Sequence, residues 1–468
     1  MKKQTAFGKK ILLIALICLP VFTLLLWERN ARVEAKTEDI YKNLETFSNV
    51  LSLLEKNYVE EIDSGKVIEG AIKGMLATLD PHSSYMKPDD FQELKIETKG
   101  SFSGIGIEIT MKDGILTVVS PIEGTPAFEK GLKSGDKILK IDGESTKDMS
   151  LMDAVKKLRG PQGTEVTIAI FREGFSDMKD ITIVRDVIPL ISVTSKILEP
   201  GYGYVRVRNF QANTTKEFKE ALTSLQKDGT LNGLVIDLRN NPGGLLDQAV
   251  KMSDIFIDQG MIVSTKGRLK DQNMEFKAHD NGDRYTFPII VLVNEGSASA
   301  SEIVAGALQD HKRALILGAQ TFGKGSVQTI IPMDNGAGLR LTTARYYTPN
   351  DRSIQATGIT PDIVVPTEFA DQQETKESKE PDAKEKKKPN FLREKDLKHH
   401  IKNGNEKPDE KPAEEEAAPP QEKPGEESTG PAEDMKKQGD STATDNQLNQ
   451  ALMLLKGLAV FGKIDMAR

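Results

Sequence analysis

The sequence is poor in the side chains from which disulfides and many metal sites are made. Among 468 residues there are one cysteine, one tryptophan and five histidines. The cysteine, Cys18, lies in an apolar run near the N terminus, so the rest of the chain can form neither a disulfide nor a cysteine-ligated metal site. The sequence implies no metal and no organic cofactor.

A surplus of positive charge is also missing. The chain has 63 Lys and Arg against 70 Asp and Glu, which gives a formal net charge of -7. Proteins that bind nucleic acid usually carry a basic surface that attracts phosphates. We therefore expect no nucleic acid partner.

A long uncharged apolar run lies at the N terminus. Residues 1–10 carry four lysines, and residues 11–27 are apolar. Such a run directs the following chain across a membrane and leaves the lysines inside. We expect residues 1–35 to be a cleaved signal peptide or a retained anchor, a choice that stays open. The rest is then exported across the inner membrane, into the periplasm or anchored on the extracytoplasmic side.

Changes of pattern along the chain predict an α+β multidomain protein. Apolar residues at helical spacing indicate a helical N-terminal domain, and short apolar runs separated by Gly, Asp and Pro indicate a β-rich domain. Alternating strands and helices follow, then a charged segment that predicts disorder except for a faint helical pattern at 391–401. A final helix is expected to dock on the body or on a second subunit. The predicted bounds are 1–35, 36–98, 99–175, 176–368, 369–446 and 447–468.

Ser299 is the first candidate for chemistry. Residues 289–328 predict a strand, a turn, a helix that starts at Ser299, a second strand and a glycine-bracketed loop. Glu302 follows Ser299 by three residues, a spacing typical of a helix capping box. The same position suits a nucleophile, because free N–H groups at a helix start can stabilise an oxyanion. Both interpretations can hold together.

A serine nucleophile needs a base, and the histidines are poorly placed for that role. His311 lies at the far end of the helix that Ser299 begins, and His82 lies in an Asp-Pro-His turn. Lysine can replace histidine when burial lowers its pKa. Lys324 is the candidate, because Gly323 and Gly325 on either side let the backbone pack closely.

A phosphate-binding loop is the competing interpretation of the same segment. Gly318 and Gly323-Lys324 have nearly the spacing of that motif. The motif requires Ser or Thr after the lysine and a helix behind it. Here Gly325 follows, and the next residues are β-branched, so a nucleotide-binding function is disfavoured.

The segments Gly296-Ser-Ala-Ser-Ala-Ser-Glu302 and Thr321-Phe-Gly-Lys-Gly-Ser-Val-Gln328 closely resemble the C-terminal processing peptidases, also called tail-specific proteases. The resemblance implies that Ser299 is the nucleophile, that Lys324 is the general base and that Gln328 orients the lysine.

The turn Asn240-Asn-Pro-Gly-Gly244 belongs to the same family pattern. It implies an oxyanion hole that is formed by the N–H of Ala300 together with the N–H of Gly243 or Gly244. Which glycine serves stays open.

Residues 127–143 resemble a PDZ domain, and Ser103-Gly-Ile-Gly-Ile107 resembles its carboxylate-binding loop. The resemblance implies that Ser103, Gly104, Ile105, Gly106 and Ile107 bind the terminal carboxylate of a peptide that adds to a strand edge. The apolar runs predict strands at 106–111, 115–119, 137–141 and 166–171 and helices at 126–129 and 151–158.

Arg159 follows the second of these helices and is expected to face the peptidase region. Our hypothesis is that a bound C-terminal tail reorients the PDZ domain and lets Arg159 align the side of the site that holds Lys324 and Gln328. The alternative is that Arg159 is a solvated surface charge.

The resemblance covers about residues 37–366. It implies a serine endopeptidase with an α/β peptidase core that selects exported proteins or peptides by their free C termini. The alternative is a catalytically inactive PDZ-bearing scaffold or chaperone, although Ser299, Lys324 and Gln328 are all present. A homo-oligomer and an adaptor protein both stay open as partners.

Overall fold

The computed structural model describes residues 39–227, 229–280, 282, 285–366, 391–403 and 445–465. The expected signal peptide or anchor and most of the charged segment lie outside these ranges. Within them, no helix combines the length and the apolar character that a membrane span requires. The chain divides into two compact units between Leu76 and Ala77.

The first unit is helical, as the N-terminal pattern predicts. Helix α1 covers residues 39–57 and helix α2 covers Ser64–Ala77. The apolar stripe of α1, which includes Ile40, Leu44 and Phe47, is exposed in the single chain.

The second unit begins with a turn that its own side chains stabilise. The Asp80 carboxylate accepts the N–H groups of His82 and Ser83, each at 2.8 Å. Strand β1 (Ser84–Met86) and helix α3 (Pro88–Lys99) follow. Proline in the first turn of α3 and Gly100 at its end, with φ of 74°, give the helix sharp limits.

A PDZ-like domain comes next. Its elements in chain order are β2 (Ser101–Gly104), β3 (Ile107–Lys112), β4 (Ile115–Pro121), α4 (Pro126–Glu129), β5 (Lys137–Ile141), β6 (Glu144–Ser145), α5 (Leu151–Leu158), β7 (Glu165–Phe171), β8 (Lys179–Val184) and β9 (Asp186–Pro189). Strands β3, β4, β5, β7 and β8 form one antiparallel sheet with β6 on β5, and β2 pairs with β9. The predicted strands and helices of this domain are confirmed to within two residues at each end.

The region that is expected to form the peptidase core holds the remaining elements. In chain order they are β10 (Val193–Glu199), β11 (Tyr202–Val207), α6 (Thr214–Leu225), β12 (Gly233–Asp237), α7 (Leu246–Asp254), β13 (Met261–Gly267), β14 (Met274–Lys277), β15 (Ile289–Val293), α8 (Ala300–Asp310), β16 (Leu315–Gly318), β17 (Ser326–Pro332), β18 (Gly338–Tyr347), β19 (Ile363–Val364) and α9 (Asn446–Asp465). Short 3-10 helices cover Lys270–Gln272 and Glu394–Asp396.

Two sheets organise this region. The central one has the order β10-β11-β12-β15-β16-β19 and is parallel from β11 onward. The second has the order β1-β18-β13-β14, with β17 on β18. Because β1 pairs with β18, the turn at Asp80 is brought to the strand next to the Lys324 loop.

The central sheet is buried on both faces. Alternate residues of β15 point to opposite sides, since strand side chains have a period of two. Ile289, Val291 and Val293 enter the main core, whereas Ile290 and Leu292 pack with Leu448, Ala451 and Leu455 of α9. The expected docking of the C-terminal helix on the body is therefore confirmed, and α9 covers a face that would otherwise meet water.

Candidate active site

Three loops meet at the carboxyl ends of neighbouring parallel strands. The loop after β12 carries Gly243 and Gly244, the loop after β15 leads to Ser299, and the loop after β16 carries Lys324. Ligand sites in parallel sheets commonly form at this edge. The fold thus brings together the three segments that carry the expected nucleophile, base and oxyanion donors.

Ser299 lies at the start of α8 in a conformation that is rare for a side-chain-bearing residue. Its φ is 55° and its ψ is -112°. Such backbone strain persists only where surrounding contacts hold it, and it is frequent at active sites. The turn before it is held by Ser297, whose hydroxyl donates to Leu238 O at 2.8 Å and accepts the Asn294 N–H at 3.0 Å. Ser299 itself is half-buried.

The glycine loop packs directly against this helix start. A Cβ atom added to Gly243 would lie 2.8 Å from Ser299 Cβ and 2.9 Å from Ala300 N, closer than a side chain allows. The loop is joined to the serine turn by hydrogen bonds from Ala298 N–H and the Ser301 hydroxyl to Asn241 O, each of 3.0 Å. Gly243 can pack this closely beside the Ala300 N–H only because it has no side chain.

The two glycines differ in their hydrogen bonds. Gly243 N–H donates to Asn241 Oδ1 at 2.9 Å, so it is already occupied in this structure. Gly244 has φ of 140°, and a Cβ there would lie 2.2 Å from Phe210 O. Both positions require glycine, and the Gly244 N–H is the one that the Asn241 side chain does not take.

Glu302 joins the serine and lysine segments. It is fully buried, and its Oε2 accepts the N–H of Ser299 at 2.8 Å and the N–H of Lys324 at 2.9 Å. Its Oε1 accepts the Gly323 N–H at 2.7 Å and the Thr321 hydroxyl at 2.5 Å. Burial raises the pKa of Glu302 to about 7, whereas these four donors favour its charged form. The capping-box spacing identified Glu302 at the helix start, but its contacts to the lysine loop were not predicted.

The backbone N–H groups of the lysine loop are thus already hydrogen-bonded and cannot bind a phosphate. The N–H groups of Gly323 and Lys324 donate to Glu302, and Phe322 N–H donates to Ser297 O at 3.0 Å. Strand β17 follows the loop, where a phosphate-binding motif needs a helix. These features agree with the sequence argument against nucleotide binding.

Lys324 is set up to lose its proton more easily than an ordinary lysine. Burial is the main cause that lowers its pKa, and the positive charge of Arg340 lowers it further. Glu394, Glu302 and Asp80 oppose this shift. Among the hydrogen bonds of the described residues, none joins Ser299 Oγ to Lys324 Nζ.

Gln328 is held with its carbonyl oxygen unused. Its Nε2 donates to the Thr342 hydroxyl at 2.8 Å, and that hydroxyl donates to Asp80 Oδ1 at 3.1 Å. Its Oε1 is buried and has no hydrogen-bond partner in the structure. A buried acceptor of this kind costs free energy unless a donor reaches it. Asp80 and Thr342, which fix this amide, were not predicted as site residues.

His82 and His311 contact groups other than the expected nucleophile. His82 Nε2 is 2.7 Å from Glu394 Oε2, and His311 Nε2 is 2.6 Å from Met261 O near the far end of α8. Neither histidine is hydrogen-bonded to Ser299 within the described part of the chain. The sequence argument against a histidine base is consistent with these contacts.

A groove in the PDZ-like domain contains four of the six expected peptide-binding residues. A cavity of about 80 Å³ is lined by Ile105, Gly106, Ile107 and Arg159, together with Phe102 and Leu158. Ser103 lines a neighbouring cleft of about 590 Å³ between this domain and α3, and its hydroxyl is buried without a partner. Gly106 has φ of 79°, and a Cβ there would lie 2.3 Å from Thr125 Cβ.

Gly104, Phe102 and Arg159 lie close to one another. A Cβ on Gly104 would be 3.3 Å from the Phe102 ring and 3.6 Å from Arg159 Cγ. The Arg159 guanidinium lies 4.7 Å from the ring centroid and forms an ion pair with Glu93 of α3. In this structure Arg159 therefore reaches α3, and the hypothesis that it aligns the side of the site with Lys324 once a tail is bound stays a prediction.

The part of the chain that the structure describes contains no group of three or more His, Cys, Asp or Glu side chains that could hold a metal ion.

Comparison with family models gives three matches in the order expected from the sequence. Residues 26–90 match the activating protease CtpB N-terminal domain, residues 93–171 match the PDZ domain, and residues 201–365 match peptidase family S41.

Curated relatives extend the likeness over most of the chain. The chain is 49% identical over 331 residues to the carboxy-terminal-processing protease of Bartonella bacilliformis, which is 70% of this chain and 76% of that protein. It is 38% identical over 311 residues to the carboxy-terminal processing protease CtpA of Bacillus subtilis, covering 66% of each. A solved photosystem II D1 C-terminal processing protease is 33% identical, covers 68% of this chain and 92% of its own, and has a TM-score of 0.40.

The fold, the site and these matches define a peptidase that carries a PDZ domain. The chain belongs to peptidase family S41, and the two curated relatives above are named carboxy-terminal processing proteases. The expected order of a helical N-terminal domain, a PDZ domain and an α/β peptidase core is confirmed.

Proposed function

We propose that this protein is a serine endopeptidase in which Ser299 and Lys324 form the catalytic dyad, and that it selects exported proteins by their C-terminal tails. The observation that supports the dyad is the buried Glu302 carboxylate, which accepts the N–H groups of both Ser299 and Lys324. One side chain thereby fixes the spacing of the two segments, and Lys324 has a lowered pKa.

The proposed chemistry is acyl transfer in two steps. Neutral Lys324 Nζ takes the proton of Ser299 Oγ while that oxygen attacks the peptide carbonyl carbon, and the negative charge moves to the carbonyl oxygen. The N–H of Ala300 and a glycine N–H of the 243–244 loop hydrogen-bond this oxyanion. Lys324 then gives the proton to the leaving amine, and a water molecule hydrolyses the acyl-enzyme with the same lysine as base.

Gln328 would complete the arrangement. Its unpaired Oε1 can accept a hydrogen bond from Lys324 Nζ, while Thr342 and Asp80 hold the other end of the amide. Because Ser299 Oγ and Lys324 Nζ are not hydrogen-bonded in this structure, a rearrangement has to bring them together before reaction. Catalytic hydrogen bonds are often long in the absence of substrate.

The PDZ domain would supply selectivity. A peptide strand added beside β3 would bring its carboxylate to the N–H groups of the loop 103–107 and its last side chain to Phe102, Ile105 and Leu158. These apolar neighbours favour an apolar C-terminal residue. We further propose that the body acts on the extracytoplasmic side of the inner membrane, on the basis of residues 11–27.

Incubating the purified full chain with an unstructured protein tests this function directly. We expect cleavage by the wild type and none by Ser299→Ala. If neither protein cleaves while both bind peptides that end in a free carboxylate, the inactive scaffold would be the better description.

A further inference from the structure

Residues 391–403 pack on the Lys324 loop although the composition around them predicts disorder. Their 3-10 helix, Glu394–Asp396, begins where the Glu394 N–H donates to Phe322 O at 3.2 Å. Arg393 Nη1 donates to Gln320 Oε1 at 3.2 Å. The faint helical pattern thus corresponds to a single tight turn that is bound to the peptidase, and we call residues 391–403 the strap.

Glu394 anchors the strap through a fully buried carboxylate. Its Oε2 is 2.7 Å from His82 Nε2, and its Oε1 accepts Gln355 Nε2 at 2.8 Å. The side chain is 0% exposed. Burying a carboxylate is costly unless it is fully hydrogen-bonded, so contacts of this kind require a specific fit.

Gln355 links Glu394 to the backbone of the lysine loop. It is also 0% exposed, and its Oε1 accepts the Gly325 N–H at 3.1 Å, while its Nε2 donates to Ile401 O of the strap at 3.1 Å. A Cβ on Gly325 would lie 2.2 Å from Gln355 N. On the other side of Lys324, Gly323 O accepts the Ala356 N–H at 2.8 Å.

We propose that Glu394 is a positioning residue for Lys324: the strap, acting through Gln355, holds the Gly323–Gly325 loop and thereby limits where the lysine amine can reach. The inference rests on the proposed dyad and extends it to a segment outside the matched peptidase region. Glu302 accepts N–H groups of the loop directly, and Glu394 reaches the loop through Gln355. The loop would then be held by two buried carboxylates, neither of which hydrogen-bonds the lysine amine within the described structure.

Because Glu394 is charged, replacing it should change the pKa of Lys324, which a purely structural contact would not do. The charged groups that act on Lys324 are Arg340, which lowers its pKa, and Glu394, Glu302 and Asp80, which raise it. Glutamine at position 394 keeps an oxygen for Gln355 but removes the charge. The pKa of Lys324 should then fall further, so the neutral amine should persist to lower pH.

The experiment measures kcat and KM against pH for the full chain and three variants on an unstructured substrate. For Glu394→Ala we expect kcat to fall by about 10- to 100-fold with KM nearly unchanged, because the base is misplaced while substrate contacts remain. For Glu394→Gln we expect a smaller loss and an acid limb of the kcat profile shifted to lower pH. Lys395→Ala is the matched control, since it alters the neighbouring exposed residue of the strap and should behave as wild type.

Two results would overturn the inference while leaving the dyad intact. One is a Glu394→Ala protein whose kcat stays within about twofold of wild type, too small a change for a displaced base. The other is an unshifted acid limb in Glu394→Gln, which decides the matter if Glu394→Ala fails to fold. Different results would overturn the dyad itself: the wild type would show no activity, or the activity would survive Ser299→Ala.

Discussion

At the scale of single residues, Ser299 holds the start of α8 and is also the proposed nucleophile. Its N–H donates to Glu302, and its carbonyl accepts the N–H groups of Glu302 and Ile303 at the start of α8. Holding φ at 55° has a cost on the order of 1–3 kcal/mol, which these contacts offset. The backbone atoms of Ser299 therefore hold the start of the helix, which leaves its hydroxyl for the proposed role as nucleophile.

Replacing Ser299 or Lys324 tests whether they act as a unit. We expect Ser299→Ala, Lys324→Ala and the double variant each to lower kcat by about 10⁴-fold or more, with no further loss in the double variant. Residual rates from a sensitive fluorogenic peptide assay, together with unchanged thermal unfolding, provide the measurement. Near-full activity in Lys324→Ala would assign the base to another group.

The pKa of Lys324 should respond to Arg340. Because burial and Arg340 lower the pKa of this amine, the neutral form is present above the lowered pKa and is lost as the pH falls through it. Arg340→Gln removes the like charge, so the pKa should rise and the acid limb of kcat should move to higher pH, opposite to Glu394→Gln. Arg352→Gln, which removes a cation paired with Asp310, is the control. If the acid limb of kcat did not move in Arg340→Gln, that result would contradict a lysine base.

At the scale of elements, Glu302 couples α8 to the loop before β17. Glu302→Gln replaces one acceptor oxygen with an N–H₂ group that must face donors, so we expect a loss of about 1–3 kcal/mol in the free energy of unfolding. Since the loss falls on the contact between the serine and lysine segments, kcat should fall as well. Urea unfolding and peptidase assays measure the two effects. Glu220→Gln, on the exposed surface of α6, should change neither.

Arg239 joins the end of β12 to the residue before the C-terminal helix. Arg239, which follows β12, contacts Asp237, whose side chain is 0% exposed, and Asp445 just before α9. Arg239→Leu leaves Asp237 without its cation, and we expect the free energy of unfolding to fall by about 3–5 kcal/mol. In Arg239→Leu, the backbone amides of α9 should show faster hydrogen exchange before those of other elements do.

A control variant on the helix itself keeps that test specific. Lys456→Ala removes an exposed ion pair between α9 and Glu199 and should cost about 1 kcal/mol or less. Equal exchange in the two variants would show that the Arg239 contacts do not hold α9.

Sequence patterns predicted the local elements well and their long-range contacts poorly. The run 289–293 and the helix after Ser299 were predicted almost residue for residue, because apolar period and capping are local signals. The pairing of β1 with β18, which brings Asp80 to Thr342, left no such signal. Glu394 lies in the charged segment that predicts disorder, and its burial leaves no local signal in the sequence.

At the scale of the whole molecule, α3 is joined to the helix that borders the PDZ groove. Two ion pairs join α3 to the end of α5, Asp89 with Lys156 and Glu93 with Arg159. Arg159 also lines the groove, whereas Lys156 lines only the larger cleft. A ligand in the groove can favour one arrangement of these domains only by binding it more tightly than the other.

The two ion pairs should therefore differ in how their loss changes the preference for a substrate with a free C-terminal carboxylate. Amidating that terminus removes the charge that the loop 103–107 would bind, and loss of charge-assisted hydrogen bonds should lower kcat/KM by about 10- to 100-fold. Arg159→Ala should weaken this preference for the free acid, because its guanidinium lies over Phe102 beside the groove. Lys156→Ala should retain the preference, since it removes the neighbouring ion pair without altering the groove. Equal cleavage of acid and amide by the wild type would refute selection by the tail, and the Ser299–Lys324 dyad would be unaffected.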